Sequence, residues 1–181
     1  MKIPKCFTHS YKNIQVVNKS SFSNKELNNL IKVSLPPKVM NKRIILIVLN
    51  KKNYKQELKK LDLDKFLSST RAYPFGGITF FVKERMECNW VLRRIVIVLA
   101  LKLNRVVTLM GDKKKGYLRS VTKNREELFV SILAHELKHV ACAESTRKLS
   151  NLIEETICDK YAIGIVKAYR ILSKKQNTIT K

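Results

Sequence analysis

Five consecutive residues, His135-Glu136-Leu137-Lys138-His139, combine side chains at a spacing that suits metal-assisted hydrolysis. On a helix of about 3.6 residues per turn, positions four apart lie on one face. His135 and His139 are therefore expected to bind one metal ion, at about 2.0–2.1 Å from each imidazole nitrogen if the ion is zinc. Glu136 stands about 100° round the helix. It is off the ligand line but within reach of a water on the metal. Zinc lowers the pKa of such a water towards about 7, so a carboxylate can take its proton near neutral pH. The chain has only 3 histidines, two of them here. Chance would place this pattern in well under roughly 1% of chains so poor in histidine.

A catalytic zinc usually takes three protein ligands and leaves a fourth position open. The third can come from the acids of Asn151-Leu152-Ile153-Glu154-Glu155-Thr156-Ile157-Cys158-Asp159. Asp159 lies one turn beyond Glu155 on the same face, where it can accept the second N–H of a metal-binding histidine and fix its tautomer. Glu154 shares its face with Ile157, Cys158 and Tyr161, which reads as packing. Glu155 is thus preferred as ligand and Asp159 as its orienting neighbour. On their own, both glutamates would read as an ordinary helix start, where carboxylates favour the dipole. No motif marks an oxyanion-stabilising residue; Tyr161, Tyr117 and His9 are the candidates.

These residues need two helices to hold them. Asn124, with Glu127 three residues on, reads as the N-cap of a helix running to about Ala141. A second helix is predicted from near Asn151 to about Leu172, after a polar connection at 143–150. Upstream, Arg43 to Asn50 is β-branched and reads as a buried strand. Residues 53–68 fit a lysine-rich helix with Tyr54, Leu58, Leu61 and Lys65-Phe66 near its inner face. Pro74 and Gly76-Gly77 precede a strand at Ile78 to Val82. Residues 90–110 suit either a strand, through Ile95 to Val98, or a helix, through Val91, Ile95, Leu99 and Leu103. Gly111 to Gly116 reads as a turn between arms at Val106–Met110 and Tyr117–Val121. Residues 1–42 are mixed and polar, broken by Pro36-Pro37, and receive no assignment. The expectation is a single α+β domain over 1–181: an N-terminal region at 1–42, a mainly sheet region at 43–121 and a zinc-binding helical region at 122–172.

Composition bounds the rest. Hydrophobic residues make up 45% of the 181, which suits a packed core and not a disordered chain. There are 37 Lys+Arg against 14 Asp+Glu, a formal charge of +23. Such a field attracts nucleic acid or other anionic partners, although it is spread along the chain and also reads as a solvated surface. The first residues lack the apolar run of a signal peptide. The longest apolar stretch, Ile95 to Leu101, is about a third of a membrane span. A cytoplasmic protein with no membrane span is expected. Cys6, Cys88, Cys142 and Cys158 form no CxxC pair, so free thiols are expected over a thiolate zinc site.

His135-Glu136-x-x-His139 followed by Glu155-x-x-x-Asp159 resembles the gluzincin clan of zinc metallopeptidases, and the small size looks most like the minigluzincins. The resemblance covers about Asn124 to Ile165. It implies one zinc ion (Zn2+) per chain held by His135, His139 and Glu155, with Glu136 as general base and Asp159 orienting a ligand. It also implies a small twisted sheet packed on the active-site helix, and an edge strand that binds a peptide or protein substrate in extended form. Lys138 departs from the pattern, which usually has an uncharged residue there. Two other readings compete. One is an SprT-like or ImmA/IrrE-like protease acting on DNA-associated proteins, although SprT-like proteins use a third histidine and none follows His139. The other is a basic nucleic-acid-binding protein with a structural zinc, in which Glu136 would have no purpose.

Overall fold

The computed structural model describes residues 7–61, 63, 76–86, 89–101, 107–109, 120–143 and 150–179. The class is α+β, with one five-stranded mixed sheet, one two-stranded sheet and four helices among these residues. The chain divides into two compact units, Met1–Asn28 with Met40–Leu101 and Asn29–Val39 with Lys102–Lys181.

The first unit is built on the sheet. Its strands are β1 (His9–Tyr11), β2 (Ile14–Lys19), β3 (Ile44–Asn50), β4 (Gly77–Met86) and β5 (Asn89–Ala100), in the spatial order β1-β2-β3-β5-β4. β2, β3 and β5 run parallel, while β1 and β4 close the sides as antiparallel partners. Parallel central strands are buried on both faces and read as continuous apolar runs, and Ile44 to Leu49 is buried at every position. One face packs Val17, Ile45, Ile47, Leu49, Ile95, Ile97 and Leu99 against Leu58 and Leu63. Leu58 belongs to α2 (Tyr54–Lys60). Of the helix predicted over 53–68, residues 53–61 and Leu63 fall within the described residues, with Leu61 also packed against this core, and Lys65-Phe66 lies outside them. The ambiguous segment 90–110 is a strand as far as Ala100. Its β-branched run outweighs the helical spacing because it lies between two partner strands.

Residues 1–42, left unassigned from the sequence, carry β1, β2 and α1 (Asn24–Ser34), which begins in the first unit and ends in the second. α1 has a complete capping box: the Glu26 amide donates to Ser23 Oγ at 3.2 Å, and the Ser23 amide donates to Glu26 Oε2 at 2.7 Å. Pro36-Pro37 marks a break, and Pro37–Val39 forms a single 3-10 turn after α1.

The second unit contains the pair β6 (Val107–Leu109) and β7 (Ser120–Thr122), antiparallel with Thr108 opposite Val121. They overlap the predicted hairpin arms, the first within Val106–Met110 and the second only at the end of Tyr117–Val121; the glycine-bounded turn and the remaining arm residues lie outside the described residues. Two long helices follow, α3 (Arg125–Ala143) and α4 (Asn151–Ile179). α3 is buried almost all round, from Leu128 through Ala134 and again at Leu137, Val140 and Ala141, as suits a helix apolar on every side. Asn124 caps it, its Oδ1 accepting from the Glu127 amide at 2.8 Å. The Glu127 carboxylate reaches one residue further back than a capping box requires, to the Lys123 amide. That carboxylate also accepts two bonds from Arg170, at 2.9 and 2.7 Å. Arg170 lies on the distal part of α4, so this bidentate clamp sets the two helices antiparallel. It joins the far end of the hairpin from His139 and Glu154, which meet near the connection.

Candidate metal centre

The stripe His135, Lys138, His139 and Cys142 is the half-buried side of α3, and α4 lies along it. Across that seam the two imidazoles bring their Nε2 atoms to 3.1 Å. Glu155 places Oε2 3.2 Å from His135 Nε2 and Oε1 3.4 Å from His139 Nε2. The outer nitrogens are both held by carboxylates. Asp159 Oδ1 is 2.8 Å from His135 Nδ1, and Glu154 Oε1 is 2.7 Å from His139 Nδ1.

Carboxylates accept, so each Nδ1 is the donor and each Nε2 turns a lone pair towards the other and towards Glu155. Three electron-rich atoms converging on one point repel unless a cation lies among them. The separations fit a metal: donors bound tetrahedrally at about 2.0–2.1 Å stand roughly 3.3–3.4 Å apart. His135, His139 and Glu155 are thus a group that can hold a metal ion.

In the metal-free protein a proton takes over part of that task. Burial opposes the His135 imidazolium, but the Asp159 and Glu155 carboxylates, with the Glu136 charge beside them, outweigh it and push the pKa up to about 10. The His135 contact in turn lowers the Glu155 pKa, against the effect of burial. The signs give a pH window. A raised histidine pKa contributes stability that is complete below the unfolded value of 6.5 and is lost as pH rises through about 10. The lowered Glu155 pKa contributes stability above 4.5 that is lost as pH falls below it. The melting temperature of chelator-treated protein should therefore fall between about pH 6.5 and 10, and His135→Gln should flatten that slope. A wild-type curve flat across the same interval would contradict the site's charge balance.

Glu136 is 8% exposed and sits next to His135 on α3, close enough for its charge to act on that imidazole. Glu154 departs from the sequence reading. It shares a side of α4 with the buried Cys158, yet its carboxylate is taken up by His139 Nδ1 and not by packing, so Glu154 and Glu155 both face histidines. Of the oxyanion candidates, Tyr161 donates its hydroxyl to the Ser34 carbonyl at 3.3 Å, and burial pushes its pKa up to about 12. Lys138 lies over the Tyr161 ring, 5.4 Å from its centre, which explains how α3 tolerates a charge before the second histidine. His9 belongs to the first unit and contacts Thr8 Oγ1. Tyr117 is outside the described residues. Cys142 and Cys158 are free thiols within hydrogen-bonding reach of each other, and burial raises both pKa values. Cys6 and Cys88 lie outside the described residues.

Compared with known proteins, the chain matches no family model, no curated sequence and no solved structure. Among the described residues no helix is long and apolar enough to cross a membrane.

Proposed function

We propose that the protein is a zinc-dependent metallopeptidase of the gluzincin type, hydrolysing peptide bonds in a peptide or protein substrate. The observation that carries this reading is the convergence of both Nε2 atoms and the Glu155 carboxylate on one point, with a buried glutamate, Glu136, immediately beside it. Zinc bound there supplies Lewis acidity, which polarises a carbonyl and acidifies water.

The chain's own residues divide the remaining work. His135, His139 and Glu155 hold the ion, while Asp159 and Glu154 fix the imidazole tautomers and raise their basicity. Glu136, set off the ligand line by one residue, takes the proton of the attacking water and returns it to the leaving amine nitrogen. A metal site serving structure alone would have no use for Glu136, which favours hydrolysis over the structural-zinc reading. A site with a third histidine, the SprT-like arrangement, is not needed when Glu155 completes the set.

The test is metal content and peptide cleavage together. The purified protein should carry about one zinc per chain and cleave an unstructured protein such as casein in a chelator-sensitive way. His135→Ala and His139→Ala should each lose both properties. Equal zinc content in the wild type and both variants would overturn the site.

A further inference from the structure

The β4–β5 hairpin has two unlike faces. In an antiparallel pair, directly opposite residues share a face and alternate along the strand. Ile78, Phe80 and Val82 pack towards the core of the first unit. The alternate set begins with Thr79 opposite Val96, which is buried, and continues outward with Phe81 opposite Arg94 and Lys83 opposite Leu92. Here the face opens: Phe81 is 38% exposed and Leu92 39%. Both apolar residues stand among cations, and the register carries on through Arg85 opposite Trp90.

From this arrangement we infer that the outer face of the β4–β5 hairpin binds single-stranded nucleic acid. The two components fit that ligand and fit others poorly. An apolar protein partner would have to bury Lys83 and Arg94, and an acidic peptide would gain little from Phe81 and Leu92. A single strand offers phosphates to the cations and bases to the aromatic and aliphatic surface, the combination used by sequence-tolerant binding surfaces. Alternate residues on a strand are about 6.7 Å apart, comparable to the step between phosphates of an extended single strand. The net charge of +23 supplies the long-range attraction. The inference is independent of the metal centre and stands or falls separately from it.

Trp90 is the chain's one tryptophan, so its fluorescence reports on the hairpin. The intact protein is titrated with a short mixed-sequence single strand, DNA in one arm and RNA in the other, with and without chelator. Quenching of Trp90 is expected, with an affinity that falls steeply as salt rises and does not change with chelator. Phe81→Ser should weaken binding about tenfold with little change in salt dependence. Lys83→Glu should weaken it about as much while flattening the salt dependence. Lys167→Glu, on α4, should bind like the wild type. Circular dichroism of each variant establishes that it is folded. Binding in either arm supports the inference and tells DNA from RNA. It is overturned if folded Phe81→Ser and Lys83→Glu proteins bind like the wild type, if a duplex of the same sequence binds more tightly, or if polyglutamate quenches Trp90 equally well.

Discussion

Glu136→Gln is expected to keep about one zinc per chain and a wild-type melting curve, and to lose peptide hydrolysis by about 10²–10⁴-fold. The argument rests on position. Glu136 follows His135 directly and so points about 100° away from the histidine line, while the metal group closes without it. Its amide replacement is nearly isosteric, so the packing around an 8% exposed side chain survives. What the amide cannot do is take up a proton. Metal retained with activity lost identifies a base; metal and activity lost together would make Glu136 a ligand. Retention of most turnover on a peptide cleaved by the wild type would remove the general-base role. The comparison is made by metal analysis and turnover on the same preparations.

Glu155→Ala should be the most damaging change to metal affinity outside the two histidines. Its oxygens bridge towards both Nε2 atoms, at 3.2 and 3.4 Å, and without them the ion keeps two neutral ligands and loses its anionic one. Because metal affinity is coupled to folding, the thermal stabilisation by zinc should largely vanish as well. Glu154→Gln and Asp159→Asn each leave the three ligands in place and disturb one imidazole, so a loss of about 10–100-fold in affinity or activity is expected from either. Zinc titration of the three variants at one pH decides the order. If Glu154→Gln proves worse than Glu155→Ala, α4 is rotated by one residue from the arrangement described and the ligand assignment changes with it.

That rotation marks the boundary of what the sequence makes legible. His135 and His139 are readable because four residues are one turn, and the cap at Asn124 gives the helix its start. Glu155 and Asp159 are readable for the same reason, as a pair one turn apart. Glu154 is not: helical spacing tells which residues share a face, but not whether a partner helix meets that face squarely or at its edge. α4 meets α3 along the boundary between two faces, so Glu155 reaches the Nε2 atoms of both histidines while Glu154 holds the outer nitrogen of His139. The sheet divides similarly. Ile44–Asn50 is plain from its unbroken apolar run, whereas β1 and β2 are short and interleaved with polar residues. Their pairing with β3 is a long-range fact that local pattern does not carry. The start of α1, by contrast, is written in Ser23 and Glu26, and the capping box there is a signal that the unassigned N-terminal region conceals.

Glu136, Glu154, Glu155 and Asp159 are four of only 14 acids in a chain of net charge +23. A divalent cation diffusing from bulk water therefore meets repulsion first and attraction only at the last few ångströms. The two fields have different ranges. The outer one is screened over about 10 Å at 0.1 M salt, whereas the inner one acts at contact between partly buried groups and is screened much less. Added salt should then lower the barrier to arrival more than it weakens the final grip. Loading of the metal-free protein is expected to become faster in saltier solution, which stopped-flow metal uptake at rising salt checks, the reverse of the behaviour of an acidic metal-binding protein, whose long-range field draws the ion in.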